Sequence, residues 1–399
     1  MKSQISNRIL NMTPSATVEL AGKVAALKKE GVDILSFSLG EPDFPTPSNI
    51  IEAGYKAMVD GFTKYTSAAG IDELREAICE KLKKDNSLDY KPNQIIVTTG
   101  AKQAIFNALM AICNEGDEVI IPTPCWVSYV ELVKLAGGVP VLVATEEKDG
   151  FQLDCEKIRA AVTNKTVAII FNSPNNPTGA VYSKETILDI GKLALEKNFY
   201  IISDEIYEKL VYDGNVHYSV AALCPEAKDL CIVINGFSKS YSMTGWRVGY
   251  AAARPDIIKS MCSFQGHTTS NTNTIAQKAS VEAIRGPQES VAMMHDEFAR
   301  RRKYMIERLN KMPGITCLDV KGAFYTFPNI SALYGKSVGG KIMKNSSDIA
   351  SYLLDEANIA VVPGLAFEAP NNMRLTYASS MEAIIEGMNR MERCICDLK

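Results

Sequence analysis

The sequence predicts an α/β protein, with a large domain on a mostly parallel central sheet and a smaller α+β domain. Three observations support this reading. Seven short β-rich apolar runs recur, segments of helical period separate most of them, and the character of the chain changes near Glu289. The length of 399 residues also exceeds what one ordinary core needs.

The N-terminal stretch opens with Thr13-Pro14, a cap followed by a first-turn proline, so a helix is expected from there to Gly31. The strand candidates are QIIVTTG, DEVIIPTPC, VPVLVAT, VAIIFNSP, FYIISDEIY, CIVINGFS and RVGYAAA. Between them lie helical patterns such as AKQAIFNALMAICNEG and SKETILDIGKLALEKN, the alternation of right-handed βαβ units. From Glu289 the chain reads as charged amphipathic helix, then GAFYTFPNI, another helix and a closing strand in NMRLTYASS. The expected organisation is an N-terminal arm (1–14), a small domain (15–48 with 287–399) and a large domain (49–286). The run GKSVGGK has the glycine spacing of a phosphate loop, but Ile342 stands where a hydroxyl must reach magnesium. It is expected to be a flexible surface loop.

Bulk properties exclude several classes. A net charge of −3 leaves no basic footprint for nucleic acid. No apolar run approaches the roughly 18 residues of a membrane span, and the N-terminus has no signal-peptide block. Ten cysteines without a pairing pattern and three histidines suggest free thiols in a reducing compartment, so a cytoplasmic location and no metal site are expected.

In an open α/β sheet the ligand sits beyond the carboxyl ends of the strands. Unusual residues gather at those ends. Lys239 ends the sixth run, among serines: it is either a solvated loop lysine or, if desolvated near another cation such as Arg247, a nucleophile toward carbonyls. Arg247 itself suits a bidentate grip on phosphate. Asp204 follows three apolar residues and reads as a helix N-cap or as a buried carboxylate paired with a positive nitrogen, with Tyr207 on the same side of the turn. SPNNPTG is a turn that also presents the Asn176 amide. Gly100, Ala101 and Lys102 follow the first strand, where an ordinary strand-to-helix turn and an anion cradle look alike. Trp126, one of two tryptophans, is core or a stacking platform. A Schiff-base lysine, a buried carboxylate, a phenol with an amide, an indole and a phosphate cup together suit one molecule, pyridoxal 5′-phosphate.

At this point a resemblance is evident. GFSKSYSMTGWRVG matches the lysine signature of class I aminotransferases, and SPNNPTG, SDEIY and MRLTYA match in the same order. From PSATVELAGKV and LGEPDFPTP onward, the chain resembles pyridoxal-phosphate aminotransferases of fold type I. It is most similar to bacterial-type aspartate aminotransferases, including those that also use prephenate. The resemblance implies that Lys239 holds the cofactor aldehyde and shuttles the α-proton, and that Asp204 keeps the pyridine nitrogen protonated. It further implies that Tyr207 and Asn176 bind the phenolic oxygen and that Trp126 stacks on the ring. The phosphate would be held by Gly100, the Ala101 and Lys102 amides, Ser238 and Arg247, with Tyr65 reaching the site of a second subunit in a homodimer.

Substrate binding is implied for Arg374 on the α-carboxylate, helped by Asn176 and Gly40, with Trp126 beside it. SFQGHTTSNTNT lacks the arginine that binds the distal carboxylate in animal-type enzymes, so Lys102 and Thr17 are expected to take that part. The implied reaction moves the amino group from L-aspartate to 2-oxoglutarate, with prephenate or an aromatic acceptor as a further substrate. Rival readings are a C–S lyase, decarboxylase or synthase on the same scaffold, and an aminotransferase for neutral amino acids. A regulator with a DNA-binding head would need more than the dozen residues before the first expected helix, and NAD chemistry lacks its glycine fingerprint.

Overall fold

A seven-stranded sheet organises the chain, and all seven β-rich runs contribute to it. The computed structural model describes residues 5–399; the first four residues of the expected arm lie outside them. The strands are β1 (Ile95–Thr98), β2 (Glu118–Thr123), β3 (Val139–Ala144), β4 (Thr166–Asn172), β5 (Tyr200–Asp204), β6 (Cys231–Gly236) and β7 (Gly249–Ala252), in the spatial order β1-β7-β6-β5-β4-β2-β3. β1 and β6 are buried at every position, as expected where helices cover both faces of a sheet. At the edge, β3 alternates partly exposed positions and carries Pro140, which an edge strand tolerates.

Only β7 runs against its neighbours, pairing antiparallel with both β6 and β1. The chain between Gly236 and Gly249 holds only a short 3-10 turn, Thr244–Trp246. That is too little for the crossover a parallel return needs. The beginning of β7 therefore lies at the same lip as the carboxyl ends of the parallel strands. Along β2 the ladder to β4 stops at Ile120, two residues before Pro122, which has no N–H to continue it.

A second core lies in the C-terminal part. The helix Met381–Asp397 buries Met381, Ile384, Met388, Met391 and Ile395, one stripe at helical spacing, and the helix Glu289–Lys311 buries Met294, Phe298, Met305 and Leu309. Between them run three antiparallel strands, Val362–Pro363, Met373–Thr376 and Tyr325–Thr326. The N-terminal segment is sewn into this core: Leu35–Ser36 pairs with Ile359–Ala360, and Phe37 accepts from the Thr376 amide at 2.9 Å.

Two local expectations need correction. The first long helix spans Ala16–Lys29 rather than starting at Thr13-Pro14. The Ser15 carbonyl accepts from the Val18 and Glu19 amides, so Ser15 is the cap, and the proline sits outside in extended chain. The run GKSVGGK is not a plain loop: Ser337–Val338 and Lys341–Ile342 form a small antiparallel hairpin whose turn is Gly339-Gly340, both at positive φ.

Candidate active site

The strand ends and the C-terminal core enclose a cleft of about 330 Å³. Of the residues expected at a site, Thr17, Gly40, Ala101, Lys102, Trp126, Asn176, Asp204, Tyr207, Ser238, Lys239, Arg247 and Arg374 all line it. Two do not. Gly100 lies against Arg247, and Tyr65 is 91% exposed.

Lys239 is held by the turn that follows β6. Its ammonium donates to the Gly40 carbonyl, so the N-terminal segment closes over it. Burial, with Arg247 and Arg374 adding like charge, pulls its pKa down to about 8, against the opposing pull of Glu41 and Asp204.

Asp204 ends β5 and is buried. Its Oδ1 accepts from the Ile206 amide at 3.2 Å and its Oδ2 from the Tyr129 hydroxyl at 2.6 Å. Burial pushes its pKa up to about 6, while those two hydrogen bonds hold it down. No cation among the described residues forms an ion pair with it. The turn is two-sided. Asp204 and Tyr207 face the cleft, whereas Glu205 accepts from Ser203 (2.9 Å) and Ser219 (2.7 Å) behind it. Glu205 also meets His217 at 3.1 Å, and Glu208 pairs with Lys81 and accepts from Asn86.

Arg374 is 2% exposed on the strand Met373–Thr376. Its Nη1 donates to Asn176 Oδ1 at 3.0 Å and its Nη2 to the Ser38 carbonyl at 2.6 Å. The guanidinium sits 4.5 Å from the Tyr325 ring centroid and 4.9 Å from that of Phe367. Its buried Nε has no hydrogen-bond partner among the described residues. A planar cation held this way is preset for a planar anion. Tyr207 shares a 2.9 Å hydroxyl contact with Tyr325.

An anion cradle occupies the far end. The helix Gly100–Ile112 starts there, and its first amides have no intrahelical acceptor. Gly249 explains the close approach, since a Cβ there would lie 2.3 Å from the Ala101 nitrogen. Gly100, at φ +78°, would place a Cβ 2.5 Å from Arg247 Nη2. Lys102 Nζ lies 4.8 Å over the Trp126 ring, with its pKa lowered by burial and then by Arg247. Thr17 shares a 3.0 Å hydroxyl contact with Ser15.

These residues fit pyridoxal 5′-phosphate. A buried carboxylate without a cation suits a pyridinium, the glycine-backed cradle with Arg247 suits a phosphate, and a lysine near neutrality suits an aldehyde. Sequence reasoning missed Tyr129, Tyr325, Phe367 and the Ser38 carbonyl. Only Tyr129 had a local signal, lying three residues after Trp126 as a helix begins.

A family model described as aminotransferase class I and II matches residues 32–390. The chain is 47% identical over 395 residues to an aspartate aminotransferase of Bacillus sp. (strain YM-2), covering 99% of this chain and 100% of that one. It is 44% identical to a probable aspartate/prephenate aminotransferase of Aquifex aeolicus, covering 99% of both. The crystal structure of an aspartate aminotransferase from Rhizobium meliloti superposes over all of both chains with a TM-score of 0.96 at 40% identity.

Proposed function

The chain belongs to the class I and II aminotransferases, and we propose that it transfers the amino group of L-aspartate to 2-oxoglutarate, giving oxaloacetate and L-glutamate. Its cofactor is pyridoxal 5′-phosphate. The observation that supports the substrate reading is that two cationic side chains, Arg374 and Lys102, line the same cleft, one for each carboxylate of a dicarboxylate.

When bound, the cofactor supplies an aldehyde that takes up the amino group and a ring that accepts the electron pair left at the α-carbon. The protein does the rest. Lys239 would hold the aldehyde, and its amine would carry the proton at the α-carbon. Asp204 would hold a proton on the pyridine nitrogen, with Tyr207 and Asn176 as the partners of the phenolic oxygen. Ser238, Arg247 and the amides of Ala101 and Lys102 would anchor the phosphate, and Trp126 would cover the ring. Arg374 grips the α-carboxylate, and Lys102 with Thr17 takes the distal one. Val18, Ala21, Leu39 and Ile105 also line the cleft, which favours a second reading in which prephenate or an aromatic acceptor is used as well.

A half-reaction screen tests both readings. Individual amino acids are mixed with the yellow holoenzyme and loss of its visible absorbance is followed. Aspartate and glutamate are expected to bleach it fastest. In Lys102→Ala the rate constant for both at limiting concentration falls by about 10- to 100-fold, one charged contact's worth, while aromatic donors change little. Bleaching by neutral amino acids alone, or a Lys102→Ala variant at full rate with aspartate, would overturn the dicarboxylate reading.

We also propose a homodimer in which Tyr65 reaches the phosphate of the other subunit. Supporting it, the helix Ser48–Val59 exposes Ile51, Tyr55, Met58 and Val59 at helical spacing, an apolar stripe that a second subunit would cover. Sedimentation is expected to give twice the chain mass, and Tyr65→Phe to weaken cofactor retention by about tenfold. A monomer with full activity counts against it.

A further inference from the structure

We propose that Tyr129 is a positioning residue for the cofactor: its hydroxyl fixes the direction of the Asp204 carboxylate and keeps it ionised. The proposal rests on the reading that Asp204 faces the pyridine nitrogen. Neither the strand reading nor the resemblance singled out Tyr129.

The geometry leaves Tyr129 little freedom. The side chain is 2% exposed, near the start of the helix Ser128–Leu135, and its ring meets Trp126 edge to face at 5.4 Å and 87°. Among the described residues its hydroxyl has one hydrogen-bond partner, Asp204 Oδ2 at 2.6 Å. A buried phenol beside a carboxylate keeps its proton, and burial and Asp204 both push the Tyr129 pKa far up. The hydroxyl is therefore a permanent donor.

Among the described residues the opposite oxygen of Asp204 has only the Ile206 amide, at the longer distance of 3.2 Å. One donor holds each oxygen of the carboxylate, and Asp204 lines the cleft. Without the hydroxyl, a buried carboxylate loses its strongest charged hydrogen bond. It then gains by taking up a proton or turning away. Either change would loosen the grip on a protonated ring nitrogen.

The test is cofactor binding to the apoprotein between pH 5 and 9, followed by fluorescence, with apoprotein melting as the fold control. In the wild type, affinity is expected to fall as pH drops through about 6, the pKa of Asp204. Loss of this break in Asp204→Asn identifies it. In Tyr129→Phe the break moves up by about one pH unit or more, and affinity at pH 7.5 falls about tenfold. Site-specific 3-fluorotyrosine at 129, a stronger donor, moves the break down and keeps the measurement decisive if the phenylalanine variant does not fold. An unshifted break in the two substituted proteins, or a pH-independent loss of affinity, overturns the proposal. If Asp204→Asn instead binds with the wild-type profile, the reading of Asp204 itself is what fails.

Discussion

Lys239→Ala is expected to lower kcat by at least about 10⁴-fold, because in the proposed function one amine serves both as the anchor of the aldehyde and as the carrier of the α-proton. Lys239→Arg should fare no better, since a guanidinium keeps the charge but has no neutral form to attack or accept a proton. The electrostatics of the cleft give the reason. With a pKa of about 8 in the fold, about one Lys239 in ten is neutral at pH 7, against about three in ten thousand for an ordinary lysine.

Capture of the cofactor by the apoprotein should accordingly accelerate as pH rises toward about 8 and level off above it. The sign for stability follows from the same shift. The unfolded lysine binds its proton more tightly, so the cost of burying the ammonium is complete below about pH 8 and relieved as pH climbs toward the ordinary value of 10.5. Lys239→Ala removes that cost, and its apoprotein should melt no lower than the wild type. Borohydride reduction with peptide mapping should label the peptide containing Lys239 in the wild type alone. A variant within a hundredfold of wild-type turnover, or an unlabelled Lys239, would sink the assignment.

Arg374→Lys is expected to cost about 10²- to 10⁴-fold in kcat/KM, the range for cutting a buried, hydrogen-bonded charge pair. Lysine keeps the charge yet cannot hold Asn176 and Ser38 while also offering a flat pair of donors. It also cannot fill the slot between the Tyr325 and Phe367 rings in the same way. The loss should fall equally on every amino acid, because each carries the same α-carboxylate. Steady-state kinetics with aspartate and an aromatic donor separate this from the side-chain-selective loss in Lys102→Ala. Selective loss with aspartate would reassign Arg374 to the distal end.

Much of the fold was legible because the central strands are buried on both faces. Runs such as CIVING and YIISD carry almost no polar residue until the chain reaches the lip. The same contrast exposed the site: a lysine, an aspartate or an amide at the end of such a run stands out. The antiparallel direction of β7 was not anticipated, since it depends on how little chain joins Gly236 to Gly249. Tyr325 lies 118 residues from Tyr207, and Ser38 lies 336 from Arg374, so neither contact leaves a periodic trace. The cap at Ser15 was missed because Thr13, Pro14 and Ser15 all carry start signals and only the geometry chooses among them.

Lys239 and Arg247 belong to one short return between β6 and β7, whereas Arg374 is borne by a separate three-stranded layer. In the proposed function, the two grips on the prosthetic group thus share one short stretch of chain, while the grip on the incoming acid is carried by another.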